Sequence, residues 1–84
     1  IMIFFNEIKD KINKRIKTEG IEIVDNSYLH SKHKSFDVNK LHLKLIIRSK
    51  KLRDMNKIDA HKEIFSVLKN EMKSKIHALE IEIK

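Results

Sequence analysis

Five histidines and no cysteine define the chemistry open to this chain of 84 residues. A neutral imidazole can ligate a metal, carry a proton or simply pack. Without thiols, disulfides, thiolate metal sites, cysteine nucleophiles and redox dithiols are all excluded, so any metal bound by this chain uses His, Asp or Glu. His30 and His33 share an H-x-x-H spacing, but in a polar stretch without helical periodicity, where surface histidines are the simpler reading. His42 alternates with Leu41, Leu43 and Leu45 and so points away from a buried face. His77 shares parity with Leu79, Ile81 and Ile83, which places it on the buried side of a strand. His61 falls on the apolar stripe of a helix, where packing accounts for it. No nucleophile, base and orienting group come together in the sequence, and no glycine-rich phosphate loop is present. A binding role, not catalysis, is expected.

The elements that must carry these histidines follow from periodicity. Phe4/Phe5, Ile8, Ile12 and Ile16 repeat at helical spacing over residues 3–18, with Lys14, Arg15 and Lys17 placed to offset the helix dipole. Gly20, the single glycine, stands where a left-handed C-terminal cap belongs. Ile21 to Val24 alternates as a half-buried strand, and residues 25–40 lose all periodicity. Alternation returns from Leu41 to Arg48 as a second strand. A basic connector, Ser49 to Met55, leads to Asn56, which can cap a helix over residues 57–73 with Asp59 as the capping-box acid. The apolar stripe of that helix reads Ile58, His61, Ile64/Phe65, Leu68 and Met72. A third strand runs from His77 to Ile83. The order is α–β–β–α–β. A right-handed crossover between strands two and three makes them parallel, so the expected fold is an α+β two-layer sandwich, a three-stranded mixed sheet covered by two helices.

A single domain over residues 1–84 fits this length, with stability on the order of 4–12 kcal/mol. The net charge is +7, which invites a nucleic-acid partner. Most of it is lysine beside abundant Ile and Asn, a mixture that an AT-rich genome encodes by default. The basic connector, with Arg48, Lys50, Lys51 and Arg53, is the candidate phosphate contact. No apolar run reaches the roughly 18–20 residues that a membrane span needs, so a monomeric cytoplasmic protein, or an organellar one in a eukaryote, is expected.

Several segments together resemble the BolA-like family. Val24-Asp25-Asn26-Ser27-Tyr28-Leu29-His30 resembles its V-x-D/N-E-S-x-x-H segment, and His42 to Ser49 its T-H-F-x-V-x-V-V-S strand. Ala60-His61-Lys62 falls at its R-H-R, and Ile76-His77-Ala78-Leu79 matches its V-H-A-L tetrad. Leu52-Arg53-Asp54 departs from the family's F-x-G, losing a flexible glycine. The resemblance implies a class II KH-like fold without the G-x-x-G phosphate clamp. It also implies a monothiol glutaredoxin partner and a [2Fe-2S] cluster shared with that partner and glutathione, none of it held tightly by the isolated chain. By the family's pattern His77 is a cluster ligand, and the second ligand falls on His42 or on His30. Some members act in transcriptional control, so DNA is the alternative partner.

Overall fold

The computed structural model describes residues 2–30 and 40–84. Helix α1 spans Met2–Arg15 and buries Ile8 and Ile12, with Ile16 completing the i, i+4, i+8 row just past its end. It stops short of the expected residue 18, and Gly20 does not cap it. Gly20 opens strand β1, Gly20–Asp25, and no described residue has a positive φ. Tertiary hydrogen bonds hold this turn instead. The Ser49 hydroxyl donates to the Lys17 carbonyl at 2.8 Å, and the Glu19 amide donates to the Arg48 carbonyl at 2.7 Å.

Strand β2, Leu41–Arg48, lies centrally, antiparallel to β1 and parallel to β3, Ile76–Ile83. Leu43, Leu45 and Ile47 face inward at 3% exposure or less, as their alternation requires. The helices cover this face alone. The opposite face, bearing His42, Lys44 and Arg48, carries no helix among the described residues.

The connector after β2 is not irregular. Ser49 caps a short helix, α2, Lys50–Arg53, accepting from the Leu52 amide at 3.2 Å, and Leu52 enters the core. Ser49 is fully buried and holds both the cap and the α1–β1 turn through one oxygen. Ser49→Ala should therefore lower stability by about 1–3 kcal/mol, since a cap and a buried hydrogen bond disappear together. Urea unfolding that moved by less than a few tenths of a kcal/mol would contradict this.

Asn56 caps α3, Lys57–Val67, as its sequence position indicates. Its side-chain oxygen accepts from the Asp59 amide at 2.8 Å, and its amide group donates to the Asp59 carboxylate at 2.9 Å. The helix breaks at Leu68 (φ −99°, ψ 21°) and resumes as α4, Lys69–Ser74. The inward row differs from the expected one. Ala60, Ile64 and Leu68 are buried, whereas Ile58 is 69% and Phe65 37% exposed. The helix is rotated relative to the expected stripe, so that Ala60 takes an inward place while Ile58 and Phe65 turn outward.

Candidate metal-binding site

The site begins with the spacing of inward-facing positions. Ile76 is buried at 1% exposure and Leu79 packs against the core, so two residues, His77 and Ala78, lie between them where strict alternation allows one. The pairing shows the irregularity directly: Leu41 pairs with Ile76, but His42 pairs with Ala78. This is a β-bulge, rare in parallel pairs and often found beside functional sites. The extra residue is His77 itself, between Ile76 and Ala78, so the parity that tied it to Leu79 and the buried face is broken there. Energetics favour the bulge, because burying an isoleucine stabilises by about 1.5–3 kcal/mol while burying an unpaired imidazole costs. His77 is exposed, on the same side as His42.

The two imidazoles meet there, with ring centres 4.9 Å apart and planes tilted by 46°. Metal–nitrogen bonds of about 2.0–2.1 Å put the ring centres of two imidazoles on one tetrahedral ion roughly 5 Å apart. The approach fits two ligands on a single ion. Ala78, small and opposite His42, leaves a shallow depression bounded by Asn26, His42 and Glu80.

The His42 backbone is clamped by the segment at the end of β1. The Asp25 carboxylate accepts from the Ser27 amide at 2.9 Å and from its hydroxyl at 2.6 Å, an Asx-type turn. The same hydroxyl oxygen accepts from the His42 amide at 3.1 Å, and the Asn26 amide donates to the His42 carbonyl at 2.8 Å. Asp25 and Ser27 are thus positioning residues that a search for ligands passes over, although Asp-x-Ser is itself a turn signal. On the other strand, the Leu41 amide donates to the Lys75 carbonyl at 2.8 Å, fixing the chain just before the bulge. The Lys75 ammonium rests 4.9 Å from the centre of the Phe4 ring.

Further along the open face, Lys44 lies between Glu82, at 3.0 Å, and Glu80, at 3.5 Å. The hydrogen bond and charge of Glu82 hold the ammonium pKa above its ordinary value, and Lys44 in turn holds the Glu82 carboxyl below its own. Lys44 stays protonated and is no base. Its charge is balanced by two carboxylates two residues from His42.

The remaining sequence candidates fare differently. The backbone of His30 closes a 3-10 turn, Ser27–His30; its side chain, and all of His33, lie outside the described residues. His61 is half-buried and lines an open cleft of about 560 Å³ with Leu52, Met55, Ile81 and Ile83. Packing accounts for it. The connector cations are mostly neutralised: Lys50 pairs with Asp54 at 2.8 Å, Lys51 with Glu63 at 3.1 Å, and Arg53 with Glu19 at 3.8 Å. Arg48 is exposed. Among the described residues no group of three or more His, Asp or Glu comes together as a metal site would require. No described helix is long and apolar enough to cross a membrane.

A three-stranded mixed sheet, helices on one face and a histidine pair at the rim of the other define a small α+β domain. The BolA-like protein family model matches residues 12–84, and the chain belongs to the BolA-like family. It is 30% identical over 80 residues to the UV-induced protein uvi31 of Schizosaccharomyces pombe, covering 90% of this chain and 78% of that protein. It is 28% identical over 76 residues to the DNA-binding transcriptional regulator BolA of Haemophilus influenzae, covering 90% of this chain and 71% of the relative. Among solved structures, the BolA domain of SufE1 from Arabidopsis thaliana superposes with a TM-score of 0.78 at 32% identity, covering 94% of this chain and 87% of that one.

Proposed function

We propose that this chain is an adaptor for a monothiol glutaredoxin, in which His42 and His77 together cap one iron of a [2Fe-2S] cluster. The partner's cysteine and glutathione supply the other iron's ligands. The observation that carries this reading is the 4.9 Å approach of the two rings across the bulge. A His₂ set on one iron is a known variation of the [2Fe-2S] site, and it raises the reduction potential relative to an all-cysteine cluster. The chain's own residues act in three ways. Each imidazole offers one ring nitrogen, the Asp25–Ser27 turn fixes the His42 backbone, and the bulge turns His77 to meet it. Two protein donors leave room for a partner to complete the coordination, which suits a cluster that is shared and passed on. The compartment required is one holding glutaredoxin and glutathione, the cytosol or an organelle.

The test mixes the chain with a cluster-loaded monothiol glutaredoxin and follows visible absorption, circular dichroism and elution volume. A 1:1 complex with a changed visible dichroism is expected. Separate elution with unaltered spectra would refute the adaptor role.

DNA binding is the second reading. It is supported by the surplus positive charge and by the kinship with the DNA-binding regulator of Haemophilus.

A further inference from the structure

We propose that a duplex DNA backbone lies in the furrow between α1 and α3–α4, not on the connector; this rests on the DNA-binding reading and gives it a surface. Two helical triads with the same spacing face each other there, Lys11, Lys14 and Arg15 from α1, and Ser66, Lys69 and Asn70 from α3 and α4. Each triad is spaced i, i+3, i+4; the first shares one face of α1, and the second runs across the break at Leu68 where α3 gives way to α4. No carboxylate lines the furrow, and Val67 is its one apolar lining residue. Lys11 is held by Glu71 at 2.6 Å. Lys14, Arg15 and Lys69 make no ion pair or side-chain hydrogen bond among the described residues. The connector is the reverse case, its three cations at Lys50, Lys51 and Arg53 each matched by an acid.

Helix electrostatics explain only part of this. Lys14 and Arg15 in the last turn of α1 offset its dipole. Lys69 stands at the opposite kind of place, the first residue of α4, where a cation gains nothing from the helix. Lys62 and Lys73 extend the row, exposed four residues before Ser66 and four after Lys69. From Lys62 to Lys73 the row covers about 16 Å at 1.5 Å per residue. That matches roughly five base pairs at 3.4 Å each. A polar lining with hydroxyl and amide donors between cations suits phosphates; a lipid surface would call for exposed apolar side chains beside them. The furrow belongs to the helical layer and the histidine pair to the open face, so occupation of one leaves the other uncovered.

Fluorescence anisotropy of the full chain with a labelled duplex, titrated over a range of salt, tests the assignment. Two triple variants with the same change in charge are compared, Lys14→Gln/Arg15→Gln/Lys69→Gln and Lys50→Gln/Lys51→Gln/Arg53→Gln. The furrow variant should bind about tenfold or more weaker at low salt, and its slope of log affinity against log salt should fall by about 2–3, near 0.9 for each phosphate no longer neutralised. The connector variant should stay close to wild type. Equal losses in both variants, or a loss confined to the connector, would overturn the furrow while leaving DNA binding intact. A wild-type chain that ignores duplex DNA even at low salt, or prefers single-stranded RNA, would remove the DNA reading and the furrow with it.

Discussion

His77→Ala should abolish the change in visible dichroism expected when the wild-type chain meets cluster-loaded glutaredoxin, His42→Ala should do the same, and His61→Ala should leave it intact. This outcome follows from the paired geometry. Two rings 4.9 Å apart act as a chelate, the second imidazole binding at no further cost in association once the first is engaged. Removing either leaves a single nitrogen, and the loss should exceed the 10–100-fold that even an outer partner of a metal ligand typically costs. His30→Ala separates the alternatives for the second ligand, because a full loss from His30→Ala and none from His42→Ala would break the pair. His77→Cys should restore binding, with a lower reduction potential as thiolate replaces imidazole. The wild-type complex should also lose its cluster as the solution is acidified, since protons compete with iron for the imidazole nitrogens. A complex equally stable at pH 5 and pH 8 would speak against histidine ligation.

The sequence carried most of this fold but not the orientation on which the site depends. Alternation in β2 located its inward face correctly, because every second residue there is a large aliphatic that must be buried. The same rule failed at His77, since periodicity assumes an unbroken pleat and the bulge is a tertiary compromise between Ile76 and Leu79. The motif Val24 to His30 was legible as a resemblance, but its physical task, clamping the His42 backbone through Ser27, needed coordinates. The charge balance of the connector was illegible for a related reason. Neighbouring lysines along the connector look like a patch, whereas the acids that neutralise Lys51 and Arg53, Glu63 and Glu19, lie far from them in sequence. The cations of the furrow come from two helices more than fifty residues apart, and only folding brings them together.

Ile64→Ala should lower the stability of the domain by about 2–5 kcal/mol, the range for large-to-small changes in a well-packed core. Ile64 is 0% exposed, midway along the inward row Ala60, Ile64, Leu68, and it meets the helix–sheet interface where α1 and β2 contribute Ile12 and Leu45 to the core. A domain of this length has about 4–12 kcal/mol in all, so the substitution removes a large part of it. At about 4–8 °C per kcal/mol for a domain of 60–100 residues, the melting temperature should fall by roughly 8–40 °C. Phe65→Ala, one residue along but 37% exposed, should cost much less, and Ile58→Ala, 69% exposed, should stay within about 0.5 kcal/mol of wild type. The contrast is the informative measurement. A helix packed by the stripe read from sequence would lose comparable stability at positions 58, 64 and 65, whereas the row seen in the fold concentrates the loss at 64. Thermal unfolding of the three variants side by side distinguishes the two helix rotations, and a large loss at Ile58 would mean that α3 presents a different face to the sheet.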